Sequence, residues 1–196
     1  NIGSASMSGR ISALTAHHDG GKTTVWVGAA SGGVWKSTDG GTTFKPSFDE
    51  QPVQSIGAIA VAPSDENTVW VGTGESWTRN SVSVGNGIYR SADGGKTWVK
   101  TNDENTRPFY YSQVRSDPKN PDRVYFSSTE LQVSDDGGKT SRNAAQQVHV
   151  DDHALWIDPK DPERWVIGDD GGIAFTFDRG GNFNQMQNLA IGQFYE

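Results

Sequence analysis

Apolar residues are concentrated in short runs of β-branched and aromatic side chains that recur along the chain. The clearest runs are residues 25–28, 69–72, 124–126 and 165–168. A tight turn containing Pro63, Pro118 or Pro159 comes a few residues before the last three runs. Because a turn followed by such a run is typical of a β-strand, each run predicts one strand of a sheet. The first repeat lacks the proline, and residues 15–24 predict a longer loop there.

A polar turn pattern recurs in phase with the apolar runs, at residues 37–44, 91–98, 134–141 and 176–183. Each copy begins with Ser or Thr, has an aspartate two residues later and contains a pair of glycines, which is the Asp-box pattern. The aspartate can accept hydrogen bonds from backbone N–H groups of its own loop, and the glycines supply positive φ without steric cost. We therefore expect a structural role in a hairpin turn for Asp39, Asp93, Asp136 and Asp178.

The two repeats together define a unit of four strands. In the second unit the strands are predicted at residues 55–61, 68–73 and 87–91 and from Thr97 onwards. The Asp box joins the third strand to the fourth, and the aromatic residue that ends it (Phe44, Trp98 or Phe183) is expected to pack between neighbouring units. Repeats of about this length predict the four-stranded blades of a β-propeller.

The expected architecture is all-β, because no segment shows a sustained helical period. We expect a single β-propeller region over residues 1–196, with four blades at about residues 7–50, 53–104, 108–146 and 148–190. Residues 191–196 resemble the start of a further inner strand. Since neither end of the chain supplies the outer strand of that further blade, the four blades are expected to form an arc of a larger propeller.

The composition excludes several classes of protein and partner. A formal net charge of −7 leaves no basic stripe for nucleic acid or for an anionic membrane surface. The chain has no cysteine, so it has neither disulfides nor thiolate metal sites. No apolar run approaches the length of a membrane span. The first residue is Asn1, which indicates a removed signal peptide, a fragment of a longer sequence, or both.

Five segments taken together carry a family resemblance: residues 6–11, 30–36, 70–75, 107–113 and 149–156. They are similar to the large secreted bacterial propeller proteins with sortilin-type Asp-box repeats, which are often labelled glycosyl hydrolases. The resemblance covers nearly the whole chain. It implies an extracytoplasmic protein, in the periplasm, on the cell surface or secreted, with further blades or subunits in a larger assembly. A shared fold does not by itself imply hydrolase activity.

Polar side chains fall where the inner strands are expected to converge on the propeller axis. They are Arg10, Tyr110, Tyr111, Gln113, His149, Asp151 and His153. We expect them to line one mouth of the central channel. Such convergence suits a ligand-binding pocket and suits a merely solvated channel equally well.

Three of these residues, His149, Asp151 and His153, alternate along a predicted inner strand of the fourth blade. Alternation puts them on one face, and imidazole and carboxylate groups suit zinc or a similar divalent cation. The alternative is a hydrogen-bonded polar strand, because side chains two residues apart on a strand lie about 7 Å apart, too far for all three to bind one ion without a bulge. No other cofactor is expected.

Glycosidase chemistry needs two carboxylates that face each other about 5–10 Å apart. In the xyloglucan-degrading two-propeller glycosidases, the first blade has an aspartate two residues before a Gly-Gly pair, and here Ala30 takes that position. Asp169 has the same offset in the fourth blade, and Glu75 is the other candidate acid. Sialidases share Asp boxes, but the motif around Arg10 matches theirs only loosely, with Ser12 in place of a proline.

Three functions stay open at this point. The leading hypothesis is an extracytoplasmic propeller module that binds or scaffolds a protein or glycan partner, because the structural repeat is strong and no catalytic set is complete. The alternative is a glycoside hydrolase, xyloglucanase-like or sialidase-like, with part of its active site outside this chain. A third is a metal-dependent hydrolase centred on His149, Asp151 and His153.

Overall fold

The computed structural model describes residues 9–75, 83–103, 113–127, 129–190 and 192. Within these residues all regular structure is strand: sixteen strands form four antiparallel sheets of four strands each. This arrangement confirms the predicted all-β fold and its four-stranded units. The same residues contain no helix with the length and apolar character that crossing a membrane requires.

In every sheet the strands lie side by side in chain order. Sheet 1 contains β1 (Ile11–Asp19), β2 (Lys22–Ala29), β3 (Val34–Ser37) and β4 (Lys45–Pro46). Sheet 2 contains β5 (Ile56–Ala62), β6 (Asp65–Thr73), β7 (Ile88–Ser91) and β8 (Val99–Asn102). Sheet 3 contains β9 (Gln113–Ser116), β10 (Val124–Ser127), β11 (Leu131–Ser134) and β12 (Arg142–Asn143). Sheet 4 contains β13 (Ala154–Ile157), β14 (Trp165–Asp169), β15 (Gly172–Thr176) and β16 (Asn184–Gln185).

The first hairpin is more regular than the sequence indicates. Strands β1 and β2 continue to a turn at Gly20 and Gly21, whose φ angles are 53° and 81°. His17 and Thr24 are cross-strand partners within this hairpin. The loop predicted over residues 15–24 is therefore wrong, because two glycines close a tight turn without the proline and let the strand alternation continue.

Strands β6 and β10 each contribute side chains to two sheet interfaces, which explains the continuous apolar runs of sheets 2 and 3. In β6, Val69 and Val71 pack in the cluster shared with sheet 1, whereas Trp70 between them packs in the cluster shared with sheet 3. Successive side chains of a strand point to opposite faces, so the run of residues 69–72, which is buried on both faces, contains no polar side chain.

Three apolar clusters hold the four sheets together. Their large members include Trp26 and Tyr89 between sheets 1 and 2, Trp70 and Phe126 between sheets 2 and 3, and Tyr125 and Trp165 between sheets 3 and 4. Within the described ranges no cluster joins sheet 4 to sheet 1. The sheets therefore form an open row, which is the arc of a propeller.

The Asp-box turns have the hydrogen bonds that their sequence predicts. Asp93 Oδ1 accepts from the backbone N–H of Thr97 (2.9 Å) and the hydroxyl of Ser91 (2.8 Å), and its Oδ2 accepts from the Thr97 hydroxyl (2.6 Å). The Ser91 hydroxyl oxygen in turn accepts from the backbone N–H of Gly95 (2.8 Å). The same backbone contact to the aspartate is present at Asp39, Asp136 and Asp178.

The aromatic residues that end these turns do not all behave alike. Trp98 is 9% exposed and meets Trp26 of sheet 1 edge to face, with 6.3 Å between ring centroids. Phe183 packs beside Trp165 at 6.5 Å. Phe44 is 40% exposed, so its predicted burial between units is wrong. Sheet 1 stands at the end of the row of sheets, and no described sheet packs against its outer side, where Phe44 lies.

Candidate functional site

The polar residues of interest lie at one end of the sheets, where the inner strands β1, β5, β9 and β13 begin. We call this end the upper face. The Ser12 hydroxyl donates to the Ile56 carbonyl, and the Gln113 side-chain amide donates to the His153 carbonyl. The first bond links the starts of the inner strands of sheets 1 and 2, and the second links those of sheets 3 and 4. The strand starts therefore share one surface.

On the part of the upper face formed by sheets 1 and 2, Arg10 and Glu75 form an ion pair. Gly74 directly follows β6 and has a φ of 95°, and its N–H donates to the Ser55 carbonyl at 2.8 Å. This left-handed turn directs the next residue inwards, where the Glu75 N–H donates to the Ser83 carbonyl at 3.0 Å. The Glu75 side chain is fully enclosed (0% exposed), and that of Arg10 is 33% exposed.

Enclosure decides what Glu75 can do chemically. A glycosidase carboxylate must contact the scissile bond or its water, and a side chain without exposed surface contacts neither. The Arg10 guanidinium also offsets the negative charge of Glu75, since a buried carboxylate needs a cationic partner. In this structure the pair fixes the turn after β6 against the start of β1.

On sheets 3 and 4, two predicted residues, Gln113 and His153, come together with Asp170. His153 Nε2 lies 2.7 Å from Asp170 Oδ1, and Gln113 reaches the backbone carbonyl of His153. Gln113 Oε1 also accepts from the Arg115 guanidinium at 2.9 Å. Asp170 was missed by sequence reasoning, although its position in the Asp-Asp-Gly-Gly turn after β14 was a usable signal.

The segment before β13 is not the strand that the alternation predicts. β13 begins only at Ala154, and residues 149–153 precede it without strand pairing. Asp151 has a φ of 69°, a left-handed conformation that breaks the two-residue period. Its N–H donates to the Thr129 carbonyl at 2.7 Å, which fixes that conformation. The prediction of one polar face of an inner strand is therefore wrong.

The three candidate metal ligands consequently have different surroundings. His149 Nδ1 lies 2.7 Å from the Val150 carbonyl, whereas His153 binds Asp170. Across the described ranges, no group of three His, Asp or Glu side chains is close enough to hold a metal ion. Tyr110 and Tyr111, the other predicted members of the channel cluster, lie outside the described residues.

Asp152 is a buried carboxylate on the upper face with a raised pKa, and sequence reasoning missed it. Its residue surface is 2% exposed. Burial first, and then the negative charge of Asp169, raise the pKa of Asp152 to about 7. Burial also raises the pKa of Asp169, while the N–H of Gly171 and the charge of His149 lower it. Strict alternation would have placed Asp152 on the unused face, so no sequence signal identified it.

Two cavities open beside these carboxylates. One, of about 420 Å³, is lined by Asp169, Asp170, Gly171, Met186 and Leu189. The other, of about 440 Å³, is lined by Glu130, Asn143, Gln146, His149 and Asp152. Both offer hydrogen-bonding groups beside apolar surface, which is the usual lining of small-ligand sites.

No family model matches this chain. Proteins of known function are similar to it in sequence, and solved structures are similar to it in fold. A xyloglucanase from Paenibacillus sp. is 28% identical over 96 residues, which are 49% of this chain and 9% of that protein. An oligoxyloglucan-reducing end-specific xyloglucanase from Emericella nidulans is 29% identical over 107 residues, 53% of this chain and 13% of that protein. The chain thus spans about a tenth of the length of these relatives.

Solved structures of low identity show the fold. An ancestral GH74 enzyme has a TM-score of 0.70 at 19% identity, over 93% of this chain and 26% of that one. The GH74 xyloglucanase from Xanthomonas campestris has a TM-score of 0.67 at 15% identity, over 93% and 31%. A nidogen/laminin complex structure has a TM-score of 0.58 at 13% identity, over 82% and 59%. The fold is therefore that of part of a β-propeller.

Proposed function

We propose that this chain is a glycan-binding segment of a larger β-propeller protein that acts outside the cytoplasm. The observation that carries the proposal is the similarity in sequence to two xyloglucanases over about half of the chain. The ligand class that follows is a neutral β-glucan of the xyloglucan type. Binding is assigned to the upper face, since its polar side chains and cavities lie there.

The upper face has the chemistry that sugar hydroxyls need. Gln113, His153 and Asp170 already form a connected hydrogen-bonded group, and Asp170 of this group lines the cavity of about 420 Å³. Side chains with planar polar ends bind hydroxyl pairs directionally, while Met186 and Leu189 of the same cavity offer apolar contact to a sugar ring. These features support a binding site on sheet 4 that extends towards sheet 3.

We propose that the described residues bind the glycan but do not hydrolyse it by themselves. Glu75 is enclosed in its ion pair, and Ala30, at the position that the family resemblance assigns to a catalytic aspartate, is a buried methyl side chain. Hydrolysis needs an acid and a second carboxylate on opposite sides of the scissile bond. The described residues supply only the neighbouring Asp152 and Asp169 with raised pKa values.

The raised pKa values of Asp152 and Asp169 favour a second candidate function, that of a glycoside hydrolase. A general acid of this class needs a pKa near neutral, and Asp152 has one of about 7. Its burial argues against direct contact with substrate unless the loop before β13 moves. Any second active-site group then comes from elsewhere in the protein.

Calorimetric titration of the intact protein with oligosaccharides separates these functions. The panel contains xyloglucan, cello- and manno-oligosaccharides and a sialoside, and release of reducing ends is followed in parallel. We expect binding of the xyloglucan oligosaccharide without turnover. Turnover that disappears in Asp169→Asn establishes the hydrolase instead, and a panel without any binding contradicts the glycan proposal.

The location and any protein partner are further parts of the proposal. Fractionation of the producing cells is expected to find the protein in the periplasm, on the cell surface or in the medium, and recovery from the cytoplasm alone contradicts this part. A scaffolding role towards a protein partner stays a prediction. It becomes the better account if oligosaccharides fail to bind while a protein copurifies through the upper face.

A further inference from the structure

One oxygen of Asp152 is buried without any hydrogen-bond partner. This atom, Oδ1, has no exposed surface, and the residue as a whole is 2% exposed. Leaving a buried carboxylate oxygen unpaired is costly, so this atom indicates a group that the protein itself does not supply.

Asp169, the last residue of β14, provides a second oxygen of the same kind. Its Oδ1 accepts from the Gly171 N–H at 2.7 Å, whereas its Oδ2 is enclosed and has no partner. The His153 N–H donates to the Gly168 carbonyl at 2.9 Å, which brings the segment before β13 beside the end of β14. Two elements thus each place one unpaired carboxylate oxygen in the same region.

The charges around this pair do not balance. Asp169, Asp151 and Glu130 all act on Asp152 with the same sign of charge. His149 acts on Asp169 with the opposite charge. A neutral ligand leaves the repulsion among the carboxylates in place, whereas a cation removes it.

We propose that Asp152 and Asp169 together bind a hard divalent cation of the Ca²⁺ or Mg²⁺ class. Carboxylate oxygens are the ligands that both ions prefer. The site differs from the histidine-centred set that the sequence suggests, because His153 is engaged by Asp170 and His149 by the Val150 carbonyl. Without imidazole ligands it favours hard ions over zinc.

The ligand count fits a partly hydrated ion. Since the described residues offer no group of three acidic or histidine side chains for a metal, two carboxylates are the protein's contribution. Mg²⁺ is commonly held by one or two carboxylates while it keeps several waters, and Ca²⁺ also accepts water and carbonyl ligands. Asp152 lines the cavity of about 440 Å³ and Asp169 lines the cavity of about 420 Å³, so each carboxylate lies beside a space through which an ion and its waters can approach.

The proposal is tested by calorimetry. The intact protein is first treated with EDTA to remove bound metal and is then titrated with CaCl₂ and, separately, with MgCl₂. Wild type is expected to bind one of the two ions with a Kd of about 10⁻⁴ to 10⁻³ M. Asp152→Asn and Asp169→Asn are each expected to bind one ion fewer, or to bind it at least about tenfold more weakly, because each loses one of two charged ligands. Asp19→Asn is the matched control, since Asp19 is exposed at the opposite end of sheet 1.

Two results overturn the proposal. One is an absence of binding by wild type at millimolar concentrations of both ions. The other is unchanged stoichiometry and affinity in both variants. Far-ultraviolet circular dichroism checks that each variant is folded, and if Asp152→Asn does not fold, the partly exposed Asp169→Asn decides the outcome by itself. Thermal unfolding gives a second readout, because a bound ion raises the Tm of wild type and the Asp19→Asn control but not of the two variants.

Discussion

Gly95, in the Asp-box turn of sheet 2, lies directly against the indole ring of Trp26 in sheet 1. A Cβ built on Gly95 would be 2.8 Å from Cζ3 of Trp26 and 2.7 Å from the Ser47 hydroxyl oxygen. The glycine therefore serves two purposes, since its φ of 82° also favours glycine. The Asp-box turn closes its own hairpin and leaves room for the neighbouring sheet.

Gly95→Ala is expected to destabilise the protein more than the same change at Gly41. The Gly95 variant combines the strain of positive φ with overpacking against Trp26, and overpacking alone costs about 1–3 kcal/mol. Gly41 has a φ of 95°, but a Cβ there meets only Phe44, at 4.0 Å. Urea unfolding of both variants measures the difference. Equal losses of stability in the two variants would contradict a role for the contact with Trp26, and would mean that glycine is needed at both positions only because of the positive φ.

The aromatic residues that end the turns make a second matched pair. Trp98→Ala removes a 9% exposed side chain from the first cluster, and such truncations cost about 3–5 kcal/mol. Phe44→Ala removes a side chain that is 40% exposed, and the loss is expected to be below about 1 kcal/mol. Denaturant midpoints compare the two. A large loss at Phe44 in the intact protein would show that another blade covers sheet 1.

Acid is expected to destabilise the protein through its Asp boxes. The hydroxyl of Thr43 lowers the pKa of Asp39 to about 2, and the backbone N–H of Thr140 lowers that of Asp136 to about 2. Because the folded pKa lies below the unfolded one, the stabilisation is complete above about pH 4 and is lost as the pH falls towards 2.

The check is the urea midpoint measured between pH 6 and pH 2. Asp136→Asn is expected to show a shallower decline over the acidic range than wild type, because the amide oxygen still accepts hydrogen bonds but no longer titrates. Asp19→Asn, exposed and outside the boxes, is expected to follow wild type. A decline that is equally steep in Asp136→Asn would place the acid sensitivity elsewhere.

The Arg10 and Glu75 pair predicts strong coupling between its members. Arg10→Met removes the Arg10 cation from beside an enclosed carboxylate, and breaking a buried pair in this way costs about 3–5 kcal/mol. The double variant Arg10→Met/Glu75→Gln is expected to be more stable than Arg10→Met, because the enclosed negative charge is gone. A double-mutant cycle in urea measures the coupling, and additive losses would mean that the pair contributes nothing as a pair.

Local patterns predicted most of the fold because the forces behind them are local. The aspartate and glycines of a box close their turn within eight residues, and the run around Trp70 needs only strand alternation to fill two interfaces. Phe44 could not be judged in this way, since its burial depends on whether another sheet packs against sheet 1.

The site was less accessible to sequence reasoning than the fold. The alternation of His149, Asp151 and His153 is real in the sequence, but the left-handed Asp151 ends it before β13 begins. Asp152 acquires its raised pKa from burial and from Asp169 at the end of β14, and neither is visible in a pattern of neighbouring residues.

Hydrogen exchange of the intact protein with and without a xyloglucan oligosaccharide tests the central proposal most directly. Glycan binding at the upper face predicts slower amide exchange in residues 149–153 and 169–172 when the sugar is present. The Asp-box turns at the opposite end of the sheets, such as residues 91–98, are expected to stay unchanged. Unaltered exchange throughout, or protection confined to the Asp-box turns, would contradict the assignment of the upper face as a glycan-binding surface.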